Sequence, residues 1–142
     1  AQDLQVEITE SVFLHQPEAI AQVLESIREI GVRIALDDFG TGYSALGYID
    51  RYPINAIKID QSFVSRMMTF HRSDAIVMSI LSLGRALDID ITAEGVETQP
   101  QLQRLSEMEC PFAQGYLLSH PVNAKKMLAL LQSQTANLMS DS

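Results

Sequence analysis

The chain has 142 residues, 46% of them hydrophobic and 20% charged, with a formal net charge of −8. That length and balance fit one soluble globular domain with a real core, and the negative field excludes non-specific binding to DNA or RNA polymers or to anionic membranes. The single cysteine, Cys110, excludes an intrachain disulfide; it reads as a packing residue and favours a reducing compartment, the cytoplasm.

Five strand-like apolar runs alternate with helical patterns. Leu4–Thr9 (LQVEIT) is the first strand. Pro17 opens a helix running to about Ile30, with Ile20, Val23, Leu24, Ile27 and Ile30 as its apolar face and Gly31 as its stop. Val32–Phe39 (VRIALDDF) is the second strand, followed by a short helix over Ala45–Arg51 that Pro53 ends. Ala56–Asp60 is the third strand. A long helix is predicted over Ser73–Leu87, with Ser73 as N-cap. Ile89–Gly95 is the fourth strand and Gln99–Met108 the next helix. Phe112–Leu118 is the fifth strand, and Ala124–Gln132 closes the series. The polar tail from Ser133 to Ser142 is expected to fray, which puts the domain within residues 1–132. No run of about 18 apolar residues is present to span a membrane, and no signal peptide is visible. A start at Ala1, almost directly in strand-like sequence, reads as the back portion of something longer.

Strand alternating with helix means parallel βα units. Two architectures fit: a doubly wound sheet, or part of a (β/α)8 barrel, of which a full copy needs about 250 residues. In both, ligands bind at the C-terminal ends of the strands. The polar residues gather there: Glu7 and Glu10, Asp37 and Asp38, Lys58 and Asp60, Glu94 and Glu97, and Gln114. Converging carboxylates repel unless cations hold them, and carboxylate oxygens suit Mg²⁺ and Mn²⁺. Adjacent aspartates point apart on a regular strand. At a strand end where the backbone bends they can flank two metals, and two metals can clamp a phosphodiester. Lys58 could orient water, neutralise phosphate or, with a lowered pKa, act as a base. Plainer readings stand beside these. Glu10 could serve a turn or cap, Lys58 could be a solvated strand-end lysine, Glu97 could be helix-start surface charge, and Gln114 could satisfy backbone groups. The glycines after Asp38 do not make a dinucleotide fingerprint, because the third is missing.

Five motifs in order, EITES (Glu7–Ser11), DDFGTGYSAL (Asp37–Leu46), IKIDQSF (Ile57–Phe63), AEGVET (Ala93–Thr98) and QGYLLSHP (Gln114–Pro121), resemble the EAL family of cyclic-di-GMP phosphodiesterases. The resemblance implies an α/β fold: the C-terminal portion, about five βα units, of a modified (β/α)8 TIM-like barrel with mostly parallel strands. It implies a two-metal site for Mg²⁺ or Mn²⁺ that hydrolyses cyclic-di-GMP to pGpG. Glu7, Asp37, Asp38 and Glu94 match metal-side carboxylates, with Asp37 bridging. Lys58 and Glu94 match catalytic positions, Lys58 holding or deprotonating the attacking water. Gln114 and Asp60 match groups that position water or substrate. Glu10 matches the anchor of the loop containing Gly40, Thr41 and Gly42, and Glu97 a supporting residue. The Glu-Ala-Leu signature and a downstream asparagine ligand are absent from this chain. The isolated chain is therefore expected to turn over negligibly, and to expose two sheet edges and an apolar barrel interior that favour a homodimer or strand-exchanged oligomer. The resemblance also implies regulatory or sensor domains on a parent chain, and leaves open its tethering to the inner membrane. A degenerate domain that binds cyclic-di-GMP or a protein partner is the alternative. Asn55, Pro111 and His120 depart from the family pattern, the last two at positions that bear on substrate fit.

Overall fold

The computed structural model describes residues 3–14, 17–41 and 45–140. Five strands form a single parallel sheet: β1 (Gln5–Thr9), β2 (Arg33–Phe39), β3 (Ala56–Ile59), β4 (Asp90–Ala93) and β5 (Phe112–Ala113). They lie in sequence order across it. A doubly wound sheet reverses its strand order at a switch point. This one never does, so the arrangement is that of a barrel segment. A short 3-10 turn (Glu10–Leu14) follows β1, and the helices are α1 (Pro17–Glu29), α2 (Ala45–Arg51), α3 (Gln61–Arg66), α4 (His71–Leu87), α5 (Gln99–Glu107) and α6 (Ala124–Ser140).

Register divides the residues between the two faces of the sheet. Ile8, Leu36, Ile57 and Ile91 form one row across the strands. Partners on neighbouring strands share a face and alternate residues change it. The face with Ile34, Leu36, Ile57, Ile59, Ile91 and Ala93 is fully buried and forms the core with Leu24, Val64, Val77, Leu81, Val96 and Leu105. The other face carries Glu7, Ala35, Ala56 and Asp90 in one row and Lys58 beside Thr92 in the next. The expected apolar barrel interior is thus polar and small over these strands. Arg33 and Asp90 form an ion pair on it. Among the described residues, β1 and β5 each pair on one side only.

Several boundaries differ from those the pattern suggests. The α1 stripe that packs on the core is Ile20, Ala21, Leu24 and Ile27, while Val23 and Ile30 are exposed. Gly31, at φ 82°, ends the helix and donates to Arg28 O at 2.9 Å. Helix α4 starts at His71, with Phe70 in the N-cap position and no side-chain cap, so Ser73 already lies in the first turn. Helix α3 is an extra element. Asp60 caps it by accepting from the Ser62 N–H at 2.9 Å. Strand β5 is two residues long rather than seven, because Gly115 turns against the Val96 backbone. The last helix continues through Ser140 instead of ending at Gln132.

The strand starts are tied together below the site. Asn55 Oδ1 accepts from Ile34 N–H at 2.9 Å, its own N–H donates to Ile34 O at 2.8 Å, and its carbonyl accepts from Asp90 N–H at 3.1 Å. A residue flagged only as a departure from a pattern joins three strands. At the other end, Thr98 and Gln101 make a reciprocal capping box on α5.

Candidate metal centre and active site

The pairing of β2 with β3 is regular up to Leu36↔Ile57 and resumes at Phe39↔Ile59. Asp37 and Asp38 therefore both stand opposite the single residue Lys58, which is a β-bulge. Asp38 takes a left-handed backbone, φ 54°, which aspartate tolerates better than most residues. The bulge removes the alternation that would send the two carboxylates to opposite faces. Asp37, Asp38 and Glu94 each offer an oxygen within 4.8 Å of the others.

Lys58 is buried at the centre of this cluster. Its Nζ lies 2.7 Å from Glu94 Oε1, 2.8 Å from Glu7 Oε2 and 3.4 Å from Asp37 Oδ1. Burial lowers the ammonium pKa, but hydrogen bonds to Glu7 and Glu94 and the charges of Glu94 and Asp37 outweigh it, leaving it well above lysine's usual value. Glu94 is pushed up by burial, against the hydrogen bond and charge of Lys58 and with the added repulsion of Asp37 and Glu7. Asp38 is pushed up by burial and by the charges of Asp37 and Asp60. Two carboxylates held above their ordinary range mark a site with more negative charge than one ammonium neutralises. The donors are all carboxylate oxygens, so the set fits a hard divalent cation. Glu7 stands outside the close trio and is joined to it through Lys58.

The remaining sequence candidates fall into two groups. Asp60, Glu97 and Gln114 line a pocket of about 280 Å³ with Asp38, Glu94 and Tyr116. The other group organises the loop after β2. Glu10 is buried, and its Oε1 accepts from the Gly40 N–H at 2.8 Å. Gly40, at φ 94°, packs against Phe63 of α3. The Thr41 hydroxyl donates to Asp38 O at 2.8 Å. Gly42 lies outside the described residues. Sequence reasoning missed Tyr116 and Gln101. Gln101 is buried, and its Oε1 accepts from the N–H groups of Glu97 and Thr98, both at 2.9 Å. The Thr-x-x-Gln spacing of a capping box was the signal that could have found it. A separate cleft of about 910 Å³ lies at the opposite end of the strands, lined by Arg33, Asn55 and Asp90. It is remote from the Asp37–Asp38–Glu94 cluster, which the rim pocket adjoins.

Fold and site together define a parallel barrel segment with a carboxylate-rich rim. The sequence profile of the EAL domain family matches residues 1–121, and the chain belongs to that family. Among curated relatives, the bifunctional diguanylate cyclase/cyclic di-GMP phosphodiesterase MucR of Pseudomonas aeruginosa is 44% identical over 126 residues, covering 87% of this chain and 18% of its own length. A solved structure of the MucR phosphodiesterase in complex with c-di-GMP superimposes with a TM-score of 0.83 at 40% identity, covering 89% of this chain and 51% of that one. The manganese and c-di-GMP complex of Klebsiella pneumoniae BlrP1 gives a TM-score of 0.77 at 32% identity, over 82% of this chain and 30% of that one. The chain thus spans less than a fifth of the curated relative and about half of the similar MucR structure. Among the described residues, no helix is long and apolar enough to cross a membrane.

Proposed function

We propose that this chain supplies one side of the active site of a cyclic-di-GMP phosphodiesterase, which adds water across one phosphodiester bond to give linear pGpG. The observation that carries the reading is the convergence of Asp37, Asp38 and Glu94 around Lys58 at the strand ends. Asp37, Asp38, Glu94 and Glu7 would hold Mg²⁺ or Mn²⁺, and the bound ions would supply Lewis acidity and charge neutralisation at the phosphate. Lys58, hydrogen-bonded to Glu7 and Glu94, would hold the attacking water or deprotonate it once cations occupy the carboxylates. Gln114 and Asp60 orient groups within the rim pocket, while Glu10 and Glu97 support the adjoining loops.

The chain holds no Glu-Ala-Leu tripeptide, so turnover by these 142 residues alone is expected to be negligible, with binding retained. Among the described residues β1 and β5 each leave one edge unpaired, which supports closure by a second copy or by strand exchange. A cyclic-di-GMP titration with and without Mn²⁺, with pGpG followed chromatographically and mass by sedimentation, tests the whole reading. Metal-dependent binding without turnover, in a self-associated species, is expected. Absence of binding in Mn²⁺ opposes the assignment of the site. pGpG release at the rate of an intact domain opposes the incompleteness of the site, and a monodisperse monomer opposes the association.

A further inference from the structure

Gln101 lies in the first turn of α5, outside the acidic cluster, yet its side chain ties together two segments of the rim. It is 6% exposed. Its Oε1 accepts from the N–H groups of Glu97 and Thr98, both at 2.9 Å, and its Nε2 donates to Val64 O at 3.3 Å. Glu97 and Thr98 belong to the stretch that runs on from Glu94. Val64 belongs to α3, the helix that Asp60 caps just after Lys58 and Ile59. A capping box needs only the bond to the N-cap N–H, here that of Thr98. The bonds to Glu97 and to Val64 go beyond it, and the second of them reaches a different element.

The same seam is closed from the other side. Gly95 has φ 69°, and a Cβ there would fall 2.5 Å from Gln61 Cβ. The stretch after β4 and the start of α3 therefore meet with no room for a side chain between them. Between the two contacts, the Glu94 N–H donates to Ile59 O at 3.2 Å. Lys58 and Glu94 stand at the head of the two segments so joined, with Nζ and Oε1 2.7 Å apart. The Val96 N–H donates to Gln114 O at 3.0 Å, so the third rim segment docks on the same stretch. A site of charged groups needs its members held to within about 0.5 Å, and hydrogen bonds behind them supply that constraint.

We infer that Gln101 is a positioning residue of the candidate metal centre. By clamping the Glu94–Thr98 segment to α3, it fixes Glu94 against Lys58 and the two aspartates and so sets the affinity of the cluster for a divalent cation. The inference rests on the reading of that cluster as a metal site. The plainer role for Gln101 is to cap α5, with no effect on the rim.

Calorimetric titration of the whole chain with Mn²⁺, beside urea denaturation of the same samples, separates these roles. Gln101→Met keeps an unbranched side chain of similar length and removes all three bonds. It is expected to weaken Mn²⁺ binding roughly ten-fold, the lower end for a group that supports a ligand from outside the site. Thr98→Ala removes the other half of the capping box, the hydroxyl that accepts from the Gln101 N–H at 3.4 Å, and leaves the clamp in place. It should lose helix-cap stability and bind Mn²⁺ like the parent. A Gln101→Met chain that binds Mn²⁺ like the parent overturns the positioning role, and equal losses in the two variants overturn it in favour of capping. A second measurement needs no substitution. Coupling between two sites is reciprocal, so Mn²⁺ should slow hydrogen exchange at the Glu97 and Thr98 amides of the parent, followed by mass spectrometry. Exchange there that saturating Mn²⁺ leaves unchanged overturns the clamp, whether or not Gln101→Met folds. A parent chain that binds no Mn²⁺ overturns the metal reading of the cluster itself, and the clamp with it.

Discussion

Replacing Lys58 by methionine keeps most of the stem and removes the ammonium that, among the described residues, faces Glu7, Asp37 and Glu94. Breaking a buried ion pair by deleting one partner costs about 3–5 kcal/mol. The partners here are 44%, 24% and 19% exposed, so water screens part of the repulsion and the expected loss is about 2–3 kcal/mol at neutral pH. For a chain of this size that is roughly 8–12 °C in Tm. The loss should shrink on acidification. Glu94 and Asp38 already lie above their ordinary pKa values, and removing Lys58 takes away a charge that lowers both. The folded variant then binds more protons than its unfolded chain through the carboxylate range, so its stability relative to the parent rises as pH falls. Mn²⁺ should stabilise the variant more than the parent, because it restores the missing positive charge. Urea denaturation at pH 7.5 and pH 5, with EDTA or Mn²⁺, measures all three effects. A variant as stable as the parent at pH 7.5, or one that gains no more from Mn²⁺, refutes the reasoning that Lys58 acts as the internal counter-ion.

The glycines of α2 and α4 should respond oppositely to the same change. A Cβ at Gly84 would sit 2.6 Å from Ile91 Cδ1 and 3.0 Å from Ile89 O, whereas one at Gly47 meets nothing within 4 Å. Gly84→Ala is expected to cost about 1–3 kcal/mol from overpacking, and Gly47→Ala to gain about 0.5–1 kcal/mol of helix propensity; thermal melts of the same sign for both would contradict the seating of α4 on β4. Asp74 accepts two hydrogen bonds from Arg104, both at 2.9 Å, and these bonds hold its pKa below the usual carboxylate value. A depressed folded pKa contributes stability that is present above the unfolded value of about 3.9 and lost as pH falls through the folded one. Asp74→Asn should therefore be less stable at neutral pH and show a flatter acid limb, and denaturation midpoints that run parallel to the parent's from pH 7 to pH 2.5 would count against this pair as a clamp between α4 and α5.

Much of this architecture was legible because parallel strands buried on one face by helices leave apolar runs. Leu36, Ile57 and Ile91 announced their strands, and the acidic residues after them announced the rim. What escaped the pattern depended on contacts between distant segments. FAQGYLL has the composition of a strand, yet it turns at Gly115 because Val96 leaves no room for a side chain. Helix α3 is six residues long, too short for periodicity to reveal. Val23 matched the α1 stripe by spacing and is exposed all the same, since the sheet beneath accepts only the narrower row of Ile20, Leu24 and Ile27. The convergence of Lys58 with its acids was suggested by strand ends. Its upward-shifted pKa follows only from its distances to Glu7, Asp37 and Glu94, which lie far apart in the chain.

The bulge in β2 has a genetic reading. Leu36 pairs with Ile57 and Phe39 with Ile59, so the ladder on both sides of the aspartates runs as it would if one of them were not there. Excising the Asp38 codon would leave Leu36 and Phe39 on the core face and Asp37 opposite Lys58, in an ordinary alternating strand. The second carboxylate thus occupies one extra residue that the ladder accommodates without a change of parity on either side. A lineage could lose the Asp38 carboxylate from the acidic cluster while keeping the parity of the core residues on either side of it.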